Sequence, residues 1–260
     1  MYSIMCLIAW NWQPASCTPL LLIANRDEFY ARPTAPLAWW QDAPILAGRD
    51  LQAGGTWLGV SRSGRLAALT NYRDPPQMRA DSPSRGELVS AFLRSEVSAS
   101  AYLNQLAASA AHYNPFNLLV CDGLALMGLE SRHARIKTMQ PGIGAVSNAD
   151  FLTPWPKLEH LKDGLQSLLT QADPNDEDLL ALLHNPHPAD DALLPATGIS
   201  LDFERALSAV FVKLPNYGTR ACSVVRLHGS NQLEFKEQSF DAKGELGTRT
   251  VNWPEQAQAG

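Results

Sequence analysis

MYSIMCLIAWNW (residues 1–12) and LLLIANRDEFYARP (residues 20–33) are joined by the Pro- and Ser-containing QPASCTP. Apolar runs bounded by turn formers read as strands, and so short a connection makes them antiparallel neighbours. That pairing returns the end of the second strand to the start of the first, placing Arg26 and Asp27 within reach of Cys6. Read alone, Asn25, Arg26, Asp27 and Glu28 are a solvated charged turn. Read against the paired strands, they are groups that can act on a thiol. A guanidinium favours a thiolate, and a carboxylate can orient an α-amine that titrates near neutrality. Met5 beside Cys6 poses the matching question. If Met5 is the initiator and is removed, Cys6 carries nucleophile and base on one residue. If it is not, Cys6 is a buried strand cysteine.

Bulk properties narrow the class. The 260 residues are 45% hydrophobic and 18% charged, the composition of a folded globular chain, and we expect one domain over 1–260 with residues 1–5 as an extension and a frayed tail from about 254. The net charge of -5 offers no attraction to nucleic acid. The early apolar stretch PLLLIA is far short of the ~20 residues of a membrane helix, and no basic residue precedes it as in an export signal. Cys6, Cys17, Cys121 and Cys222 are scattered, which indicates no metal site or disulfide framework and a reduced, cytoplasmic setting.

Organisation along the chain follows from periodicity. TWLGVS and RLAALTNY (56–61 and 65–72) form a hairpin, and helices are predicted over RGELVSAFLRS and SASAYLNQLAASA. FNLLVCDG and LALMGLES make another hairpin, and ARIKTM adds a strand. WPKLEHLKDGLQSLLT (155–170) carries five leucines on one face and is a helix, followed by helices over NDEDLLALLHN and LDFERALSAVFV. CSVVRLHGSNQLEFKEQSF closes the fold as a hairpin turning at GSNQ. The sum is an α+β layered protein with mostly antiparallel pairing.

Further candidates are spread along the chain. AGGTWLGVS offers Trp57 behind a glycine turn, either as core or as part of a site. Asn71 in ALTNYRDP and Asn148 in GAVSNADFLTPWPK are turn residues or, together, amide donors to an oxyanion. Arg220 in LPNYGTRACSVV stands at a strand entrance. Trp39 and Trp40 form a packed loop, or an aromatic lip over an apolar-ligand pocket. HNPH (184–187) lacks the carboxylate that would complete a metal set, so no metal is expected.

MCLIAWNW, ANRDEF, GGTWLGV, LTNYR, SRGELV, NPFNLLV, SNA with PWPK, and YGTR occur in that order. This series resembles the family named for its NRDE motif, which includes the transport and Golgi organisation protein 2 homologues. The resemblance implies an N-terminal-nucleophile (Ntn) hydrolase-like fold, a four-layer αββα sandwich of two mostly antiparallel sheets flanked by helices. By resemblance Cys6 is the nucleophile, Arg26 and Asp27 attend its thiol and α-amine, Asn71 and Asn148 make oxyanion and amine contacts, and Arg220 is the late arginine. Asn25 can take one of the NRDE roles instead.

Two functions follow from the resemblance. The first is a cysteine amidohydrolase acting on the C–N bond of a small linear or cyclic amide, with no cofactor. The second is a non-catalytic carrier of haem, acyl-CoA or another lipid-like ligand, using Trp39, Trp40 and Trp57 at the pocket and Cys6 or a histidine as axial ligand. The residue chemistry places the hydrolase first.

Overall fold

The computed structural model describes residues 5–73, 78–171, 173–229 and 232–254, with the backbone alone at Met5. In chain order the first strands are β1 (Met5–Trp12), β2 (Leu20–Phe29), β3 (Thr34–Trp39), β4 (Ile45–Asp50), β5 (Leu58–Ser61) and β6 (Leu66–Asn71). Helices α1 (Gly86–Arg94) and α2 (Ala99–Ala107) precede β7 (Phe116–Cys121), β8 (Leu126–Glu130), β9 (Arg135–Thr138) and β10 (Gly142–Val146). Helices α3 (Pro156–Gln171), α4 (Asp176–Leu183) and α5 (Leu201–Ala206) lead to β11 (Tyr217–Leu227), β12 (Leu233–Asp241) and β13 (Gly244–Trp253).

The strands form two antiparallel sheets, ordered β10-β1-β2-β11-β12-β13 and β3-β4-β5-β6-β7-β8-β9. Between them lies a core that includes Ile8, Trp10, Leu22, Leu46, Leu119 and Phe235. Helices α1 and α2 cover the seven-stranded sheet through Leu88, Phe92 and Leu103. Helices α3 and α4 cover the six-stranded sheet, setting Leu158, Leu161, Leu165 and Leu179 against Leu7, Ile23 and Val224. The architecture is an α+β sandwich in four layers, αββα.

Double coverage explains the unbroken apolar runs. Even-numbered residues of β1 (Ile8, Trp10, Trp12) enter the inter-sheet core, whereas Leu7 and Ala9 pack on the helices. A strand with one wet face would alternate with polar residues, and this one has a single polar residue, Asn11, near its far end. Cys6 shares the parity of Ile8 and Trp10, so its side chain ends the inter-sheet row.

Four sequence expectations are corrected. NRDE is not a turn after the second strand; β2 runs through it to Phe29. Trp39 is not in a loop but ends β3, pairing with Leu46, and Trp40 follows it in the short β3–β4 connection, where its N donates to Ile45 O. The last hairpin is extended by a further strand, β13. Helix α5 stops at Ala206 rather than continuing to Val212, because the next backbone groups are taken by tertiary partners: Val210 O accepts from Asn25, and Phe211 N donates to Asn185 O. Ser230 and Asn231 of the GSNQ turn, and the tail from 255, lie outside the described residues. Among the described residues no helix is long and apolar enough to cross a membrane.

Candidate active site

β2 pairs with β1 on one side and β11 on the other, so NRDE sits in the middle of a sheet. Successive side chains then point to opposite faces. Asn25 and Asp27 face the helical layer. Arg26, which lies directly across from Cys6, faces the inter-sheet side. Asn25 is a structural bridge: its Nδ2 donates to Leu183 O (2.8 Å) and Val210 O (2.9 Å), tying the end of α4 and the approach to β11 onto the sheet. It does not line the cavity described below, so a ligand-binding or NRDE role for Asn25 at the thiol is not what its contacts serve. Arg26 pairs with Glu28 at 3.3 Å, and Glu28 also meets Arg32 at 3.4 Å.

Cys6 lines a cavity of about 700 Å³ between the ends of the two sheets, together with Arg26, Asn71, Trp57, Arg85 and Arg220. The other three cysteines do not reach it. With a peptide bond on its nitrogen the Cys6 thiol is pushed up to about 12, first by burial and then by the Asp27 carboxylate; Arg26 and a hydrogen bond from the Asp27 backbone work in the opposite direction. In that form it is a protonated, inert thiol at neutral pH.

Asp27 and Lys157 are two buried ionisable groups near it that act on each other through their charges. Asp27 Oδ1 accepts from the Thr219 hydroxyl at 2.7 Å, and Thr219 is fixed in turn by accepting from Val212 N at 2.9 Å. Asp27 Oδ2 and Lys157 Nζ are both buried without a hydrogen-bond partner among the described residues. Burial raises Asp27 to about 6, with Lys157 pulling it back, and lowers Lys157 to about 8, with Asp27 opposing. Two buried polar atoms left open beside a nucleophile form a receptor for one more polar group.

Asn71 and Asn148 are brought together, but with different tasks. Asn148 Nδ2 donates to Asn71 O at 2.9 Å and its Oδ1 accepts from Ser147, so its side chain is committed to the end of β6. Asn71 lines the cavity, and its Oδ1 has no hydrogen-bond partner among the described residues. Arg220 is the extra residue of a bulge in β11, between Thr219 opposite Asp27 and Ala221 opposite Arg26. The bulge aims it at the β2–β3 connection, where it donates to the carbonyls of Phe29, Tyr30 and Arg32, to Phe240 O and to the Thr34 hydroxyl. It lines the cavity as a clamp on the wall.

Of the tryptophans, Trp57 lines the cavity. Trp39 instead packs edge-on to Trp253 at 5.3 Å, under Arg62, and Trp40 donates from Nε1 to Ala47 O with Arg49 over its ring at 4.2 Å. Neither forms a lip on the cavity: Trp39 packs against the inter-sheet core and Trp40 joins the cluster under α1 and α2.

Sequence reasoning passed over Lys157 and Arg85. Lys157 had a visible signal: it precedes Leu161 and Leu165 at intervals of four, on the buried stripe of α3. Arg85 stands in SRGELV, but nothing in its spacing marks it as a site residue: it directly precedes α1, and only the fold carries it to the cavity. Arg73 is a third; it pairs with Glu204 and lies over Trp155 at 4.6 Å, closing the helical side of the site.

A sequence model described as Transport and Golgi organisation 2 matches residues 5–242. The chain is 35% identical to the Transport and Golgi organization protein 2 homolog of Bos taurus, covering 96% of both chains. It is 34% identical to that of Homo sapiens, covering 91% of this chain and 93% of the relative. Among solved structures it is similar to a Caenorhabditis elegans N-acylethanolamine-hydrolyzing acid amidase ortholog (TM-score 0.48, 8% identity, 84% of this chain and 92% of that one). It is also similar to a conjugated bile acid hydrolase mutant from Clostridium perfringens (TM-score 0.47, 10% identity, 98% and 94%). With a family match over almost its whole length, the chain belongs to the Transport and Golgi organisation 2 family.

Proposed function

We propose that the protein is an Ntn-type cysteine amidohydrolase that cleaves the C–N bond of a small amide, in the form whose chain begins at Cys6. The observation that carries this reading is the position of Cys6: on the wall of a substrate-sized cavity, across from Arg26 and near the open Asp27–Lys157 pair. An α-amine at Cys6 would take the place of the Met5 peptide bond, and Met5 is the residue opposite Asp27. Asp27 would orient that amine.

The amine then accepts the thiol proton as the sulfur attacks the amide carbonyl. The Asn71 carboxamide holds the resulting oxyanion, with Asn148 positioning Asn71 through its backbone. Collapse breaks the C–N bond, and the ammonium returns its proton to the departing amine. Water attacks the thioester that remains, with the same amine as base, releasing the acid and restoring the thiol. Cytoplasmic residence fits free thiols at Cys6 and Cys222.

The haem carrier reading is less well supported. No histidine lines the cavity among the described residues, Trp39 and Trp40 face elsewhere, and the buried thiol is held protonated. The test is turnover of a panel of N-acyl amides by the chain starting at Cys6. Cys6→Ala is expected to abolish hydrolysis and Cys6→Ser to lower it by about 10²-fold or more; unchanged turnover in Cys6→Ala contradicts the proposal.

A further inference from the structure

We propose that the cavity selects an anionic ligand, with Arg85 binding an oxyanion of that ligand (carboxylate, sulfonate or phosphate) beside the Cys6 thiol. This deepens the hydrolase reading by naming the substrate class, an amide that carries such a group, although the binding step stands without turnover.

Seven arginines line the cavity against two carboxylates, Asp50 and Glu237. Both carboxylates are committed: Asp50 binds Arg32 at 2.6 Å, and Glu237 accepts from Leu37 N at 2.8 Å. Arg26 and Arg49 also have carboxylate partners, in Glu28 and Asp42. Arg79, Arg85, Arg220 and Arg249 donate to carbonyl, hydroxyl or backbone acceptors, which fill hydrogen bonds but cancel no charge. Arg85 stands out among these. Its guanidinium makes one hydrogen bond, from Nη1 to Pro115 O at 3.2 Å, and it forms no ion pair among the described residues. It lines the same cavity as Cys6, and burial lowers it to about 10, with Cys6 opposing that shift. Arg85 is half-buried; a cation partly removed from water without an anion is costly, and a ligand that brings one recovers that cost.

The mounting of Arg85 is rigid. A Cβ on Gly55 would come within 2.5 Å of the Gly86 carbonyl carbon, so the loop before β5 and the start of α1 touch backbone to backbone. The backbone that carries Arg85 is thus held, and a guanidinium fork suits the planar or tetrahedral oxygens of a small anion. The surrounding excess of positive charge draws anions toward the same wall.

The test is calorimetric binding to the full chain carrying Cys6→Ala, which removes turnover. The probes are N-hexanoylglycine, its uncharged methyl ester, and the matching aminomethylphosphonate. At least one anionic probe is expected to bind about tenfold or more tighter than the ester, with an advantage that shrinks as salt is raised. The stronger of the two identifies carboxylate or phosphate. Adding Arg85→Gln should erase the preference, and Arg85→Lys should keep part of it. Equal binding of ester and both anions, or a preference that survives Arg85→Gln in a folded protein, overturns the proposal. The salt dependence, measured without any change at Arg85, decides it even if Arg85→Gln fails to fold. Selective binding without hydrolysis by the Cys6 chain would sink the hydrolase reading and leave this one standing.

Discussion

Asp27 and Lys157 set a measurable signature at the scale of single residues. Asp27 is raised from 3.8 to about 6, so its favourable contribution to stability is complete below about pH 4 and is lost as pH rises through 6. Lys157 is lowered from 10.5 to about 8, so the folded state is penalised below pH 8 and recovers as pH rises toward 10.5. Between about pH 6 and 8 both are charged and both weaken the fold. The double variant Asp27→Asn/Lys157→Met is therefore expected to gain about 2 kcal/mol at pH 7 while losing turnover, and its advantage should shrink toward pH 4 and toward pH 10. Urea unfolding of both proteins across that range checks this; a variant less stable at pH 7 would refute it. Cys6, Arg26 and Asp27 could be drawn together from sequence, because strand pairing is a local rule. The division of NRDE into two faces could not, since it requires knowing that β2 continues through the motif. Lys157 was legible in its helical spacing, whereas Arg85 stood in SRGELV with no spacing to mark it as a site residue.

At the scale of elements, the bulge in β11 decides where Arg220 goes, and Gly218 makes the bulge possible. A Cβ there would lie 2.3 Å from the Tyr30 hydroxyl and 2.6 Å from Val212 O. The tyrosine can shift; the carbonyl is backbone and cannot. Gly218→Ala should cost about 2 kcal/mol by overpacking and should lower turnover by displacing Thr219 from Asp27. A denaturant midpoint equal to that of the wild type would contradict this. The long leucine-bearing helix and the β1–β2 and β5–β6 hairpins were readable because periodicity and turn chemistry are written locally. β13 escaped notice because GELGTRTVNW is mostly exposed and lacks an apolar row. The tail of α5 was misread because tertiary bonds to Asn25 and Asn185 override its helical pattern.

Across the whole molecule, four layers give the sheets two covered faces each and leave a cavity at one end where Cys6 terminates the inter-sheet row. The layering was expected from the ordered motifs. The cavity's charge was not, because its arginines come from strands and loops far apart in sequence, in a chain whose net charge is -5. Negative charge outside and positive charge within this hollow separate bulk composition from the local field. The central claim is that the working protein has a free α-amine on Cys6, and intact mass spectrometry of hydrolytically active protein from its native source tests it most directly. The account predicts a mass beginning at Cys6; active protein that retains Met5 would contradict it.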